Sequence, residues 1–216
     1  MPPIWSYSFV LLLQLSLLNG GGLFAQSTPS KPAQFTLKGV DIGDVGEAGS
    51  TALDDATGEY SVTGSGTDIF GTSDEFHYAH MAWSGDGEII ARVTDVAETN
   101  QHAKAGVMFR ESLDADSAHA VMEIKASAGA EFQSRQQKSY NDTKGIKAPH
   151  FVRLVRRGNT FTGYRSTDGS KWVQHGSATI AGKRKGTQLK RETMSYVPIL
   201  FGTRFASRKL FRHWPG

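Results

Sequence analysis

Between Gly85 and Lys125 the chain alternates apolar and polar positions in three runs, Glu88–Val96, Ala105–Glu111 and His119–Lys125. Ile89, Ala91 and Val93 fall on one side of the first run, and Ile90, Arg92 and Thr94 on the other. Ala105, Val107 and Phe109 oppose Gly106, Met108 and Arg110 in the second. Ala120, Met122 and Ile124 oppose His119, Val121 and Glu123 in the third. A period of two predicts strands with one face in a core and one partly wet. The breaks at Glu98–Gln101 and Asp114–Ser117 have turn chemistry, so the three runs predict an antiparallel meander. Further strands are expected at Phe35–Lys38, Glu59–Thr63, Phe76–Trp83, Glu131–Gln136, Phe151–Arg156, Thr160–Arg165 and Lys171–His175. The polar stretch Ser139–Lys147 reads as a loop. Gly158-Asn159 and Asp168-Gly169 supply residues that tolerate the positive φ of tight hairpins. Many short strands at regular spacing predict an all-β sandwich or barrel.

Composition sharpens this picture at three points. The 24 glycines fall largely between the strand-like runs, and no segment carries a sustained helical stripe. With no cysteine in 216 residues, disulfides, a thiol nucleophile and thiolate metal sites are excluded. Residues 1–30 hold no charged side chain, and Phe9–Leu18 is an apolar run of signal-peptide length. A bilayer span needs ~20 apolar residues, so no membrane span is expected there. A signal peptide over 1–25, cleaved after Ala25, and a polar linker over 26–34 are the expectation, and with them secretion to the periplasm, cell surface or medium. A wrongly chosen start ahead of a cytoplasmic domain is the alternative.

Charge divides the chain. Residues 182–216 hold nine Lys/Arg against one acid, Glu192, a net of +8, so the preceding body carries −5 of the overall +3. The tail also loses the strand–turn rhythm. It lacks aromatics interleaved in a regular array, so nucleic acid is not an expected partner.

The side chains capable of chemistry point away from catalysis. No carboxylates recur on one strand face at the spacing that would set an acid and a base across one bond. Glu111, Asp114 and Asp116 come closest but run off a strand into a turn. No nucleophile elbow is present. Gly64–Ile69 resembles a phosphate loop only superficially, since a strand follows it. Asp41, Asp44, Asp68 and Asp74 could supply oxygens to calcium. Hydrogen bonding to their own turns is the better reading, so no cofactor is assigned. Phe76–Trp83 carries the binding signal. If Phe76, Tyr78 and His80 point away from the core, they join Arg92, Arg110, Glu123, Gln133 and Arg135. Rings that stack on sugar C–H faces would then lie beside groups that fix hydroxyls. The alternative is that Phe76 and Tyr78 pack in the core while the arginines are solvated or paired.

Several motifs occur in a familiar order: Asp41-Ile-Gly43, Gly64-Ser-Gly66-Thr-Asp68-Ile69, Asp74-Glu-Phe76-His-Tyr78 and Gly85-Asp86-Gly87. Lys104–Ser112, Val152-Arg-Leu154, Gly158–Phe161, Tyr164 and Asp168-Gly169 with Trp172 continue it. Over roughly Lys38 to Ile180 the chain resembles a secreted bacterial domain of the concanavalin A-like lectin/glucanase superfamily, the "regulation of enolase protein 1-like" domain. The resemblance implies a two-sheet antiparallel jelly roll, in a superfamily whose concave sheet often holds sugars. It implies no settled activity. After Ile180 the family's closing strands are not recognisable, so residues 35–181 are expected to form the sandwich. Residues 182–216 would then be a basic tail, divergent or out of frame, with the last one or two strands missing and a sheet edge left open. The functional expectation is a secreted, non-catalytic module that binds a polysaccharide or other glycan, or is accessory to polysaccharide-processing or cell-surface proteins. A structural or protein-interaction domain without a sugar site is the alternative, and a glycoside hydrolase a remote third.

Overall fold

A computed structural model describes residues 36–56, 59–100, 102–135, 139–180, 195–200 and 211–213. The expected signal peptide, the linker and most of the basic tail lie outside them. No helix occurs among the described residues. The chain runs through β1 (Lys38–Ile42), β2 (Ser50–Asp54), β3 (Glu59–Thr63), β4 (Ile69–Phe70), β5 (Ser73–Asp74), β6 (Phe76–Ala82), β7 (Gly87–Val93) and β8 (Lys104–Arg110). It continues through β9 (His119–Lys125), β10 (Gly129–Ser134), β11 (Ser139–Lys144), β12 (His150–Arg157), β13 (Thr160–Ser166), β14 (Val173–Thr179), β15 (Ser195–Leu200) and β16 (Phe211–His213). The expected meander is β7 to β9, although β7 and β8 belong to different sheets.

Two sheets dominate, and every pairing in them is antiparallel. One has seven strands in the order β1-β6-β15-β8-β9-β10-β11, the other five in the order β14-β13-β12-β7-β16. Side chains from both fill the space between them. The rings of Phe109 on β8 and Phe161 on β13 lie 5.5 Å apart. Phe132 on β10 packs where side chains on the paired glycines Gly163 and Gly176 would stand; a Cβ on Gly163 would come within 2.6 Å of its ring. Ala105 and Val107 are fully buried, and Met122, opposite Val107, reaches the same glycine. The arrangement is consistent with a β-sandwich. Burying one methylene contributes about 0.8 kcal/mol, so this interlayer packing is the main source of stability.

Three expectations need correction. The end of the chain does not leave the sandwich short of strands. The backbone of β15 lies in the middle of the larger sheet, and β16 borders β7. The apolar run Val197–Leu200 suits a central strand, although its Pro198 cannot donate to a ladder. Its register with β8 is unbroken through Pro198 and Val107, whereas on the β6 side Val197 and Pro198 have no partners. Ser139–Lys144 is likewise not a loop but the strand β11, paired with β10 along its length. Finally, both faces of β8 and β10 are buried, where alternation predicted one wet face. Residues 64–75, with the β4–β5 hairpin, supply the cover.

Candidate functional site

Register decides which predicted residues share a surface. Gly106 pairs with Glu123, Glu123 with Glu131, and Arg110 with His119. Ile199 pairs with both Gly106 and Tyr78. Phe76, Tyr78, His80, Arg110, Glu123, Gln133 and Arg135 therefore gather on the face of the seven-stranded sheet turned away from the partner sheet. Arg92 does not join them, because β7 belongs to the five-stranded sheet.

This face is closed rather than open, so the expected sugar platform is corrected here. Phe76, Tyr78, Arg110 and Glu123 have no exposed surface, and Gln133 is buried. Two clusters of charge account for the closure. In one, Asp74 receives Arg110 Nη1 at 3.1 Å and Arg135 Nη1 at 3.0 Å, with Arg135 Nη2 on its other oxygen. Arg110 also donates to the carbonyls of Ser112 and Asp114, and lies over the rings of Phe76 and Tyr78. Burial still holds the Asp74 carboxyl above its usual range, against the pull of both arginines. Burial beside the two arginines pushes the His119 imidazole well below its usual range. In the other cluster, Lys104 Nζ sits 2.8 Å from Asp68, 3.6 Å from Glu123 and 3.9 Å from Glu131. Burial raises Glu123 to about 8, with Lys104 opposing the shift and Glu131 adding to it. Gln133 donates to Glu123 at 2.9 Å. His80, half-buried at the rim, stacks on Tyr78, and burial lowers its pKa.

The carboxylates considered for calcium are dispersed among protein partners. Asp41 receives Gly49 N–H and contacts His77 Nδ1 at 2.6 Å; Asp68 and Asp74 face Lys104 and the arginines. Beside the covered face, Gly64, Thr67, Asp68, Thr99, Asn100 and His102 line a polar cleft of about 300 Å³.

The outer face of the five-stranded sheet has a different character. Cross-strand pairing lays it out in rows: Arg92, Phe151 and Ser166; then Ile90, Arg153, Tyr164 and Gln174; then Glu88, Val155, Thr162 and Ser177. Arg92 lies 5.9 Å from the Phe151 ring centre. Arg153 lies 5.2 Å from that of Tyr164 and 5.6 Å from that of Trp172. All five of these side chains are half-buried, so they combine fixed positions with accessible surface. Glu88 accepts from Arg153 Nε at 2.7 Å and fixes the guanidinium between the two rings. Thr162 and Ser177 share a hydrogen bond of 3.1 Å in the next row.

The turn after β13 buttresses this face. Asp168 accepts the backbone N–H groups of Ser170 and Lys171 and the hydroxyl of Ser166, which depresses its pKa. Gly169 has φ +73°, and a Cβ there would meet the Phe151 ring at 3.1 Å. Glycine is needed for both reasons. Of this face, only Arg92 was singled out in the sequence as a site residue; Phe151, Arg153, Tyr164 and Trp172 were not. The signal for Arg153 and Tyr164 was present. A two-residue turn at Gly158-Asn159 sets Arg157 opposite Thr160, and counting outward sets Arg153 opposite Tyr164.

No family model matches the chain, and none of the curated proteins matches it. Among solved structures, a mutant of the GH43 protein BlXynB from Bacillus licheniformis aligns with a TM-score of 0.42 at 13% identity, covering 72% of this chain and 34% of that one. The chain thus spans about a third of the length of that protein.

Proposed function

We propose that this chain is an exported, non-catalytic β-sandwich module of the concanavalin A-like jelly-roll kind that binds carbohydrate on the outer face of its five-stranded sheet. One observation carries the reading. Phe151, Tyr164 and Trp172 stand half-buried on one sheet face, held in place by Arg92 and Arg153. Pyranose rings present C–H faces that stack on such aromatics, and hydroxyls that accept from guanidinium and amide groups. Gln174, Thr162 and Ser177 supply further donors and acceptors along the same strip. Because the aromatics are fixed by packing, little side-chain entropy is lost on binding.

What supports a non-catalytic role is the engagement of the carboxylates. Glu88 is committed to Arg153, and Asp74 to Arg110 and Arg135. An acid and a base free to converge on one glycosidic bond would be needed for hydrolysis. A glycan array probed with the full chain tests the proposal, with Tyr164→Ala as the matched variant. Binding to a set of polysaccharides, weakened in the variant, is expected. A folded chain that binds no glycan on the array overturns the reading, and a structural or protein-interaction role then replaces it.

A further inference from the structure

The charges on the aromatic strip do not cancel, and this bears on which glycans it takes. Two guanidiniums stand in the strip, Arg92 and Arg153. The strip's own carboxylate, Glu88, is almost wholly buried and bonded to Arg153. Asp168 lies nearby in sequence to Trp172, and its Oδ1 is held by its own turn. Arg92 is left facing the Phe151 ring, and no carboxylate pairs with it among the described residues. A guanidinium is a planar fork of donors that grips a carboxylate or sulfate in two places.

The spacing adds direction. Arg92 and Ile90 are two residues apart on β7, and Ile90 lies beside Arg153, so Arg92 and Arg153 sit on a diagonal of about 8 Å between backbones. The strip thus grades from a free cation at Arg92, through the rings around Arg153, to the hydroxyls of Thr162 and Ser177. A neutral sugar chain could use the rings and hydroxyls alone. An acidic one would use the cation as well.

Resting on the proposed glycan-binding role, we infer that this strip prefers acidic polysaccharides, with Arg92 recognising a carboxylate or sulfate while the adjoining sugar stacks on Phe151 and Tyr164. Arg92 is a specificity-determining residue, and the rings supply the sequence-independent part of the affinity.

The test uses the full chain with polygalacturonate and its fully methyl-esterified form, which share a backbone and differ in having a charged carboxylate or a neutral methyl ester. At low salt the acidic polymer should bind about tenfold more tightly, the worth of one charge-assisted hydrogen-bonded contact. Arg92→Gln should abolish that preference, the two polymers then binding alike; Arg92→Lys should restore part of it. Raised salt should also narrow the gap, since the contact is half-exposed. Equal binding of both polymers overturns the inference and leaves the glycan-binding role standing. A preference that survives in Arg92→Gln also overturns it, and assigns the attraction to other cations, Arg153 or the basic residues after 181. Binding to neither polymer, nor to any other glycan, removes the role and the inference together.

Discussion

Arg110 and Asp74 are 36 residues apart in the chain and 3.1 Å apart in space, and neither has exposed surface. Arg135 closes on the same carboxylate from the end of β10. One aspartate thus compensates two guanidiniums and pins the covering hairpin to the larger sheet. Asp74→Asn keeps the shape but leaves both cations without their counter-charge. Removing one partner of a buried pair costs about 3–5 kcal/mol. Urea unfolding should show a loss of that order, and a loss below about 1 kcal/mol would mean that the hairpin is not held through Asp74.

Glu123 makes stability depend on pH in an unusual direction. Its folded pKa is about 8, well above the ordinary carboxyl value. Between about pH 4.5 and 8 the folded chain therefore keeps a proton that the unfolded chain releases. Stability from this group is present in acid and falls as pH rises through that window. His119 acts in the opposite sense: its depressed pKa means stability is lost as pH falls below the usual imidazole value. Comparing wild type with Glu123→Gln cancels the histidine contribution. The variant should gain on wild type steadily from pH 5 to pH 8 in urea midpoints. Parallel curves would refute the assignment.

The strands that bear the core were legible in the period of two, because Ala105, Val107 and Phe109 alternate with residues of another character. The covered face was not. Arg110 on β8 falls on the face that alternation leaves partly wet, and the partners that bury it, Asp74, Ser112 and Asp114, lie outside its strand. A contact between Asp74 and Arg135, 61 residues apart, leaves no trace in local periodicity. The outer strip lay between these cases. The hairpin turn at Gly158-Asn159 determined the pairing of Arg153 with Tyr164, but Phe151 and Trp172 carry no local mark that distinguishes a supported ring from a core ring. Pro198 gives the opposite signal to its strand, since a proline argues against the central position in which it stands.

The two sheets approach each other through glycine. Phe132 fills the space over Gly163 and Gly176, so a methyl group at either position meets a ring with no room to retreat. Overpacking of this kind costs about 1–3 kcal/mol. Gly163→Ala should lower the thermal midpoint accordingly, and Gly163→Ala combined with Phe132→Leu should recover part of the loss. Additive losses in the double variant would show that the ring and the glycine do not share this space.

Tyr78 and Tyr164 separate stability from binding. Tyr78 has no exposed surface, stacks on His80 and lies beneath Arg110, so Tyr78→Ala opens a cavity in the covered face. Truncating a buried ring costs about 3–5 kcal/mol. Tyr164 is half-buried on the outer strip beside Arg153, and its loss should cost about 1 kcal/mol or less, as expected for a surface change. If the strip is the glycan surface, Tyr164→Ala should weaken polysaccharide binding about tenfold, the scale of one lost stacking contact. Tyr78→Ala, measured where it remains folded, should bind as wild type does. The reverse outcome, with binding lost in folded Tyr78→Ala and kept in Tyr164→Ala, would return the ligand to the covered face of the seven-stranded sheet. Residues 64–75 would then have to move aside for it, breaking the Asp68–Lys104 contact of 2.8 Å as they do.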